Sequence, residues 1–179
     1  LDHVTIDFYA GQLTAIMGPS GSGKSTLMQC TAGLDELTSG QVLIGDTVVN
    51  ALDERRLTQL RRDKVGFIFQ AFNLVPTLSA IENITLPARL AGRKPDPQWV
   101  DQVVGTVGLG DRLQHRPSEL SGGQQQRVAV ARALASRPEI IIADEPTGNL
   151  DSRTGAEILA FMRSAARELG QTIVMVTHD

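Results

Sequence analysis

The chain has 179 residues, of which 41% are hydrophobic, 21% charged and 4% aromatic, with a formal charge of -3. That length fits one domain able to bury most of its apolar surface, and so few aromatics imply an aliphatic core. The slight acidity gives no footprint for wrapping nucleic acid and no polybasic membrane anchor. The single cysteine, Cys30, excludes an internal disulfide framework and a cysteine-only zinc site, and reads as a small buried residue in a reducing compartment.

In chain order, Leu13–Met17 reads as a strand, followed by a glycine-rich loop from Gly18 and helical spacing from Lys24 to Gly33. Val42–Ile44 is a second strand-length apolar run, Asp53–Arg62 has helical spacing, and Val65–Phe69 is again a strand. From about Val75 to Leu134 there is helix-like spacing and no convincing strand, which reads as an inserted α-helical subdomain. Pro76, Pro87, Pro95, Pro97 and Pro117 punctuate it, and Ala91–Pro97 is its best candidate for a flexible surface loop. Within it, Ser121–Leu134 reads as a helix. Ile140–Ala143, Arg153–Leu169 and Thr172–Val176 follow as strand, helix and strand. Three of the strand runs lack polar alternation, as strands buried on both faces do, and strand alternates with helix. The expected fold is α/β with a mostly parallel central sheet. No apolar run reaches the length of a membrane span and no signal peptide is visible, so the cytosol is the expected compartment. The chain starts at Leu1 without methionine and stops just past a strand run, so a single domain trimmed at both ends is expected.

Gly18-Pro-Ser-Gly-Ser-Gly-Lys-Ser25 matches G-x-x-x-x-G-K-[ST] between a strand and a helix, the context the motif requires. Glycines let several N–H groups turn inward and the helix adds its positive end, so a triphosphate is neutralised without bulky side chains. Lys24 should reach the β- and γ-phosphates and Ser25 should place its hydroxyl on Mg²⁺. Asp144 ends a buried-type strand and is the expected second metal acid. Glu145, one residue further, could accept a proton from a water attacking the γ-phosphate. Gln70 and His178 follow two other strand runs at the same carboxyl edge.

Ser121-Gly-Gly-Gln124 fits the capping box S-x-x-Q, which accounts for Ser121 and Gln124. It does not account for Gly122 and Gly123, since glycine costs about 0.8–1.0 kcal/mol against alanine inside a helix and somewhat less near its end. Two glycines in a first turn suit a close approach to the backbone, and an anion is the expected visitor. Spacing alone leaves open whether this start and the one at Gly23 grip one nucleotide within one molecule.

Gly18–Ser25, Gln70, Leu120–Gln124, Ile140–Glu145, Asp151 and His178, in that order, closely resemble the ATP-binding-cassette ATPases over nearly the whole chain. The resemblance implies a phosphate-loop NTPase core carrying a helical subdomain, with ATP and Mg²⁺ as ligands. It implies nucleotide contacts at Gly18, Pro19, Ser20, Gly21, Ser22, Gly23, Lys24, Ser25 and Thr26. Two cassettes would pair head to tail, so that Ser121, Gly122, Gly123 and Gln124 of one cap the ATP of the other. Gln70 would join Ser25 and Asp144 at Mg²⁺ and sense the transport subunit. Asp151 would cross the dimer interface, Glu145 would be the general base and His178 would touch the γ-phosphate. A second cassette, most simply an identical copy, and an integral membrane permease are the implied partners, with the ATPase peripheral on the inner face of the cell membrane and no nucleic acid bound. Phe69–Pro76, Ala80–Pro87 and Glu145–Asp151 resemble the branch serving lipoprotein release, macrolide-type efflux and cell-division complexes. The family's adenine-stacking aromatic would lie upstream of Leu1, because Phe8 and Tyr9 stand too near Lys24 to match it. Two other readings stay open here. One is a soluble cassette acting on the ribosome or nucleic acid. The other is a phosphate-loop kinase, which leaves Gly122 and Gly123 unexplained.

Overall fold

The computed structural model describes residues 1–178. Four parallel strands form the central sheet in the order β1 (Leu13–Met17), β6 (Thr172–Thr177), β5 (Ile140–Asp144), β4 (Val65–Phe69). The register pairs Met17 with Thr177, Val176 with Asp144, and Asp144 with Phe69, so the four carboxyl ends finish level. The residues expected at the strand ends therefore share one edge, where α/β folds bind ligands.

The sheet is buried on both faces because its inner strands are apolar at odd and even positions alike. Ile141, Ala143, Ile173 and Met175 face a core shared with α3 (Ala80–Leu90), α4 (Pro97–Val107), α5 (Gly122–Ala135) and α6 (Ser152–Glu168). Ile140, Ile142, Val174 and Val176 face a second core with Met28 of α1 (Lys24–Thr31) and Leu60 of α2 (Glu54–Lys64). That pattern is the continuous hydrophobic signature of doubly covered parallel strands.

Val42–Ile44 does not join this sheet. Leu43–Ile44 (β2) pairs antiparallel with Thr47–Val48 (β3) across Gly45 and Asp46, and both strands are only two residues long. Residues 75–134 contain α3, α4, a short 3₁₀ turn at Pro117–Glu119 and α5, with no strand among them. Pro87 does not end α3. It lies inside the helix, which opens on a complete capping box of Ser79 and Glu82. Fully buried Asn83 holds the approach to α3, taking the Val75 N–H and donating to the carbonyls of Val75, Leu78 and Ser79. The 91–97 segment is a surface connection as expected, yet it is pinned. Arg93 reaches Asp63 at 2.9 Å, and Asp96, the N-cap of α4, receives Arg137 at 2.9 Å.

Candidate nucleotide site

The loop after β1 opens into a cleft of about 570 Å³ lined by Ser20, Gly21, Gly23, Lys24, Ser25, Thr26, Glu145 and His178. Gly21 and Gly23 have φ of +79° and +89°, conformations that cost other residues. Helices α2, α3, α4, α5 and α6 each begin with a side-chain cap, from Asp53, Ser79, Asp96, Ser121 and Asp151. Helix α1 alone among these six has none, and it has no acidic residue in its first turn. Its free N–H groups and positive dipole end are thus left for an anion in the cleft. Lys24 Nζ meanwhile donates to the carbonyls of Gly18 and Pro19 at 2.7 and 2.8 Å, a position from which it can turn to phosphate.

Opposite the loop, Glu145 has φ +44°, a left-handed backbone that is strained for a non-glycine residue. Its N–H donates to Val176 O and its carbonyl accepts from Gly148 N–H, both at 3.0 Å. The surrounding chain thus imposes the conformation. Its carboxylate meets His178 Nδ1 at 2.8 Å at the mouth of the cleft. Asp144, half-buried beside it, has its carboxyl pushed above the usual range, first by burial and then by the Glu145 charge. A divalent cation would relieve both effects. The Ser25 hydroxyl and Asp144 carboxylate oxygens fit Mg²⁺, which takes few protein oxygens and fills its shell from phosphates and water.

The other expected residues lie elsewhere. Gln70 does not line the cleft; its Nε2 donates to Asn149 Oδ1 and its carbonyl accepts from Asn149 Nδ2, both at 3.0 Å. Asp151 caps α6, accepting from the N–H groups of Arg153 and Thr154 and, at 2.6 Å, from the Thr154 hydroxyl. Ser121–Gln124 are also outside the cleft. Ser121 and Gln124 close their capping box at 3.3 and 2.9 Å, which leaves the Gly122 and Gly123 N–H groups for a partner from outside the helix. Gly123 answers a packing demand that its place in the capping box does not reveal. A Cβ on Gly123 would overlap the Thr154 methyl, so packing against α6 already requires that glycine, whereas a Cβ on Gly122 would find ordinary contacts of 3.6 and 3.8 Å to Leu150 and Phe72. Only Gly122 keeps an unexplained bare backbone.

Sequence reasoning missed two side chains of α5. Fully buried Gln126 donates from Nε2 to Pro146 O and to Phe69 O, the latter at 3.4 Å. Arg132 donates to the carbonyls of Phe72 and Asn73, whose φ values of +59° and +50° are left-handed. Its guanidinium is made less basic by burial. The available signal was polarity on the buried face of a helix, where a satisfied polar residue holds backbone rather than core.

An uncapped helix behind a G-x-x-x-x-G-K-[ST] loop, facing a carboxylate at a level strand edge, defines a phosphate-loop nucleotide hydrolase. Residues 1–148 match the family model described as ABC transporter. An ABC transporter ATP-binding protein of Thermotoga maritima is 52% identical over 178 residues, 98% of this chain and 76% of that protein. The macrolide export ATP-binding/permease protein MacB of Marinobacter nauticus is 46% identical over 181 residues, all of this chain and 28% of that protein. Among solved structures, the dimeric cassette MJ0796 of Methanocaldococcus jannaschii has a TM-score of 0.82 at 46% identity, covering 97% of this chain and 78% of that one. The same cassette has been solved in a post-hydrolysis state bound to ADP and Pi, at 45% identity. The chain belongs to the ABC transporter family. It is the Mg²⁺-dependent, ATP-binding and ATP-hydrolysing cassette that powers such a transporter, which sets aside the ribosome-directed and kinase readings. No helix among the described residues is long and apolar enough to cross a membrane.

Proposed function

We propose that this chain acts as one of a head-to-tail pair of identical cassettes, each ATP being enclosed by Gly18–Thr26 of one copy and Ser121–Gln124 of the other. The observation that carries this reading is the separation, within one chain, of two helix starts with free N–H groups. Helix α1 faces the cleft, while Gly122 and Gly123 stand outside it. A nucleotide held in the cleft of one copy would meet the second start on the surface of another copy. That the solved relative MJ0796 is dimeric supports pairing of two copies.

In the closed pair Lys24 exchanges the Gly18 and Pro19 carbonyls for the β- and γ-phosphates, and the N–H groups of the loop and α1 cradle the remaining oxygens. Ser25, Asp144 and the Oε1 that Gln70 leaves unused at Asn149 would hold Mg²⁺, which when bound would supply charge neutralisation to the phosphates. Glu145 orients the attacking water and accepts its proton; His178 keeps the carboxylate turned into the cleft and contacts the γ-phosphate. Asp151, already capping α6, sits on the face where the copies meet. Residues 75–134 act as the helical subdomain, and closure is passed to a membrane permease through Gln70 and residues 71–90. The cassette thus works at the inner face of the membrane. The similarity to MacB supports placing it in the lipoprotein-release, macrolide-efflux and cell-division branch.

The base assignment is tested with Glu145→Gln in the full-length protein. ATP binding should stay within about twofold of the parent while turnover falls by about a hundredfold or more, in line with loss of a general base. Near-parental turnover would remove Glu145 from that role.

A further inference from the structure

Gln126 occupies a face of α5 that an apolar side chain would fill at less cost. It is 0% exposed, with Val130, Ala133 and Leu134 on the turns that follow. Its neighbours fix the amide orientation, since both contacts are carbonyl acceptors and only Nε2 can donate to them. Oε1 is left buried without a partner. A buried acceptor left unpaired destabilises a fold, so packing does not explain why a carboxamide stands here.

The two acceptors do suggest an explanation. Phe69 O directly precedes Gln70 at the end of β4, and Pro146 O directly follows Glu145 at the end of β5. Proline has no N–H, so its carbonyl is the only backbone group by which that residue can be hydrogen-bonded. Glu145 is strained at φ +44° and held by Val176 O and Gly148 N–H; the bond to Pro146 O is a further tether one residue on. A single side chain, one turn past Gly122 and Gly123, thus spans from the first turns of α5 to the carbonyls beside the proposed metal ligand and base.

We propose that Gln126 is a positioning residue, which fixes Glu145 and Gln70 relative to the start of α5 so that phosphate arriving at Gly122 and Gly123 is felt at the chain's own hydrolytic residues. This rests on the reading of Glu145 as general base.

The test compares Gln126→Met, Gln126→Glu and Glu145→Gln in the full-length protein, measuring kcat, KM, ATP affinity and the fluorescence of Trp99. That indole donates to Leu134 O at 3.0 Å and reports whether α5 is seated. For Gln126→Met the account expects kcat to fall about tenfold to a hundredfold, as for a misplaced catalytic group. ATP affinity and the Trp99 signal should be retained. Gln126→Glu adds a readout that a merely structural role would not move. A buried carboxyl is pushed toward its protonated form, whose O–H can donate to Pro146 O, so its kcat relative to the parent should recover as pH falls. Parental kcat in Gln126→Met overturns the proposal, as does a kcat loss matched by equal loss of ATP affinity. If Gln126→Met does not fold, a flat kcat ratio across pH for Gln126→Glu overturns it. Near-parental turnover in Glu145→Gln would instead sink the base reading, whatever the Gln126 variants do.

Discussion

Asp151 caps α6, and in the proposed pair it also lies where the copies meet. Its carboxylate is held below the usual range, first by the Thr154 hydroxyl and then by the N–H groups of Thr154 and Arg153. A depressed folded pKa means the stabilising contribution is fully present above the unfolded aspartate value and is lost as pH falls through the folded one. Asp151→Asn keeps an N-cap acceptor but cannot titrate. Urea unfolding over a pH series should show the parent's advantage over Asp151→Asn steady at neutral pH and shrinking below about pH 4. A difference that does not change with pH would place the benefit of Asp151 elsewhere. At this scale the phosphate loop, Asp144 and Glu145 were legible in the sequence, because motif spacing and strand ends fix chemistry locally. Asn149 as the partner of Gln70 was not legible, since that pair joins residues 79 apart along the chain. The strain at Glu145 was also hidden, because it depends on bonds from β6 and the following turn.

The elements show the same division between local and distant causes. The strands of the central sheet were legible from their apolar runs, and α6 from its apolar face. The run Val42–Ile44 misled because apolar content does not say whether a strand finds the sheet or only a hairpin partner. Pro87 misled because a proline removes only its own N–H bond from the ladder, a loss that the packed helix α3 absorbs. Gly123 has a packing cause beside the expected anion contact, since α6 leaves no room for a methyl there. Gly123→Ala should therefore lose about 1–3 kcal/mol through overpacking, despite alanine's better helix propensity. Thr154→Ser removes the obstructing methyl and keeps the hydroxyl for Asp151, so it should recover most of that loss in the double variant. Thermal unfolding of the four proteins in the cycle checks this, and additive losses would refute the steric account.

For the whole molecule, the two-sided sheet explains why a loop, a carboxylate and a histidine from three strand ends converge, while α5 delivers its glycines outside that cleft. The helices of residues 75–134 share one apolar core with the sheet, and Gln126 and Arg132 tie α5 to the backbone beside Glu145 and Gln70. The family could be recognised from motif order. The proposed division of the site between copies could not be read from the residues alone, because a sequence does not show which surfaces its motifs occupy. The most direct measurement is the mass in solution of the Glu145→Gln protein with ATP, with and without Ser121→Arg. ATP should convert Glu145→Gln from monomer to dimer, while Ser121→Arg, which binds ATP at its own cleft as before, should stay monomeric. An ATP-dependent dimer that survives Ser121→Arg would contradict a site shared between two copies.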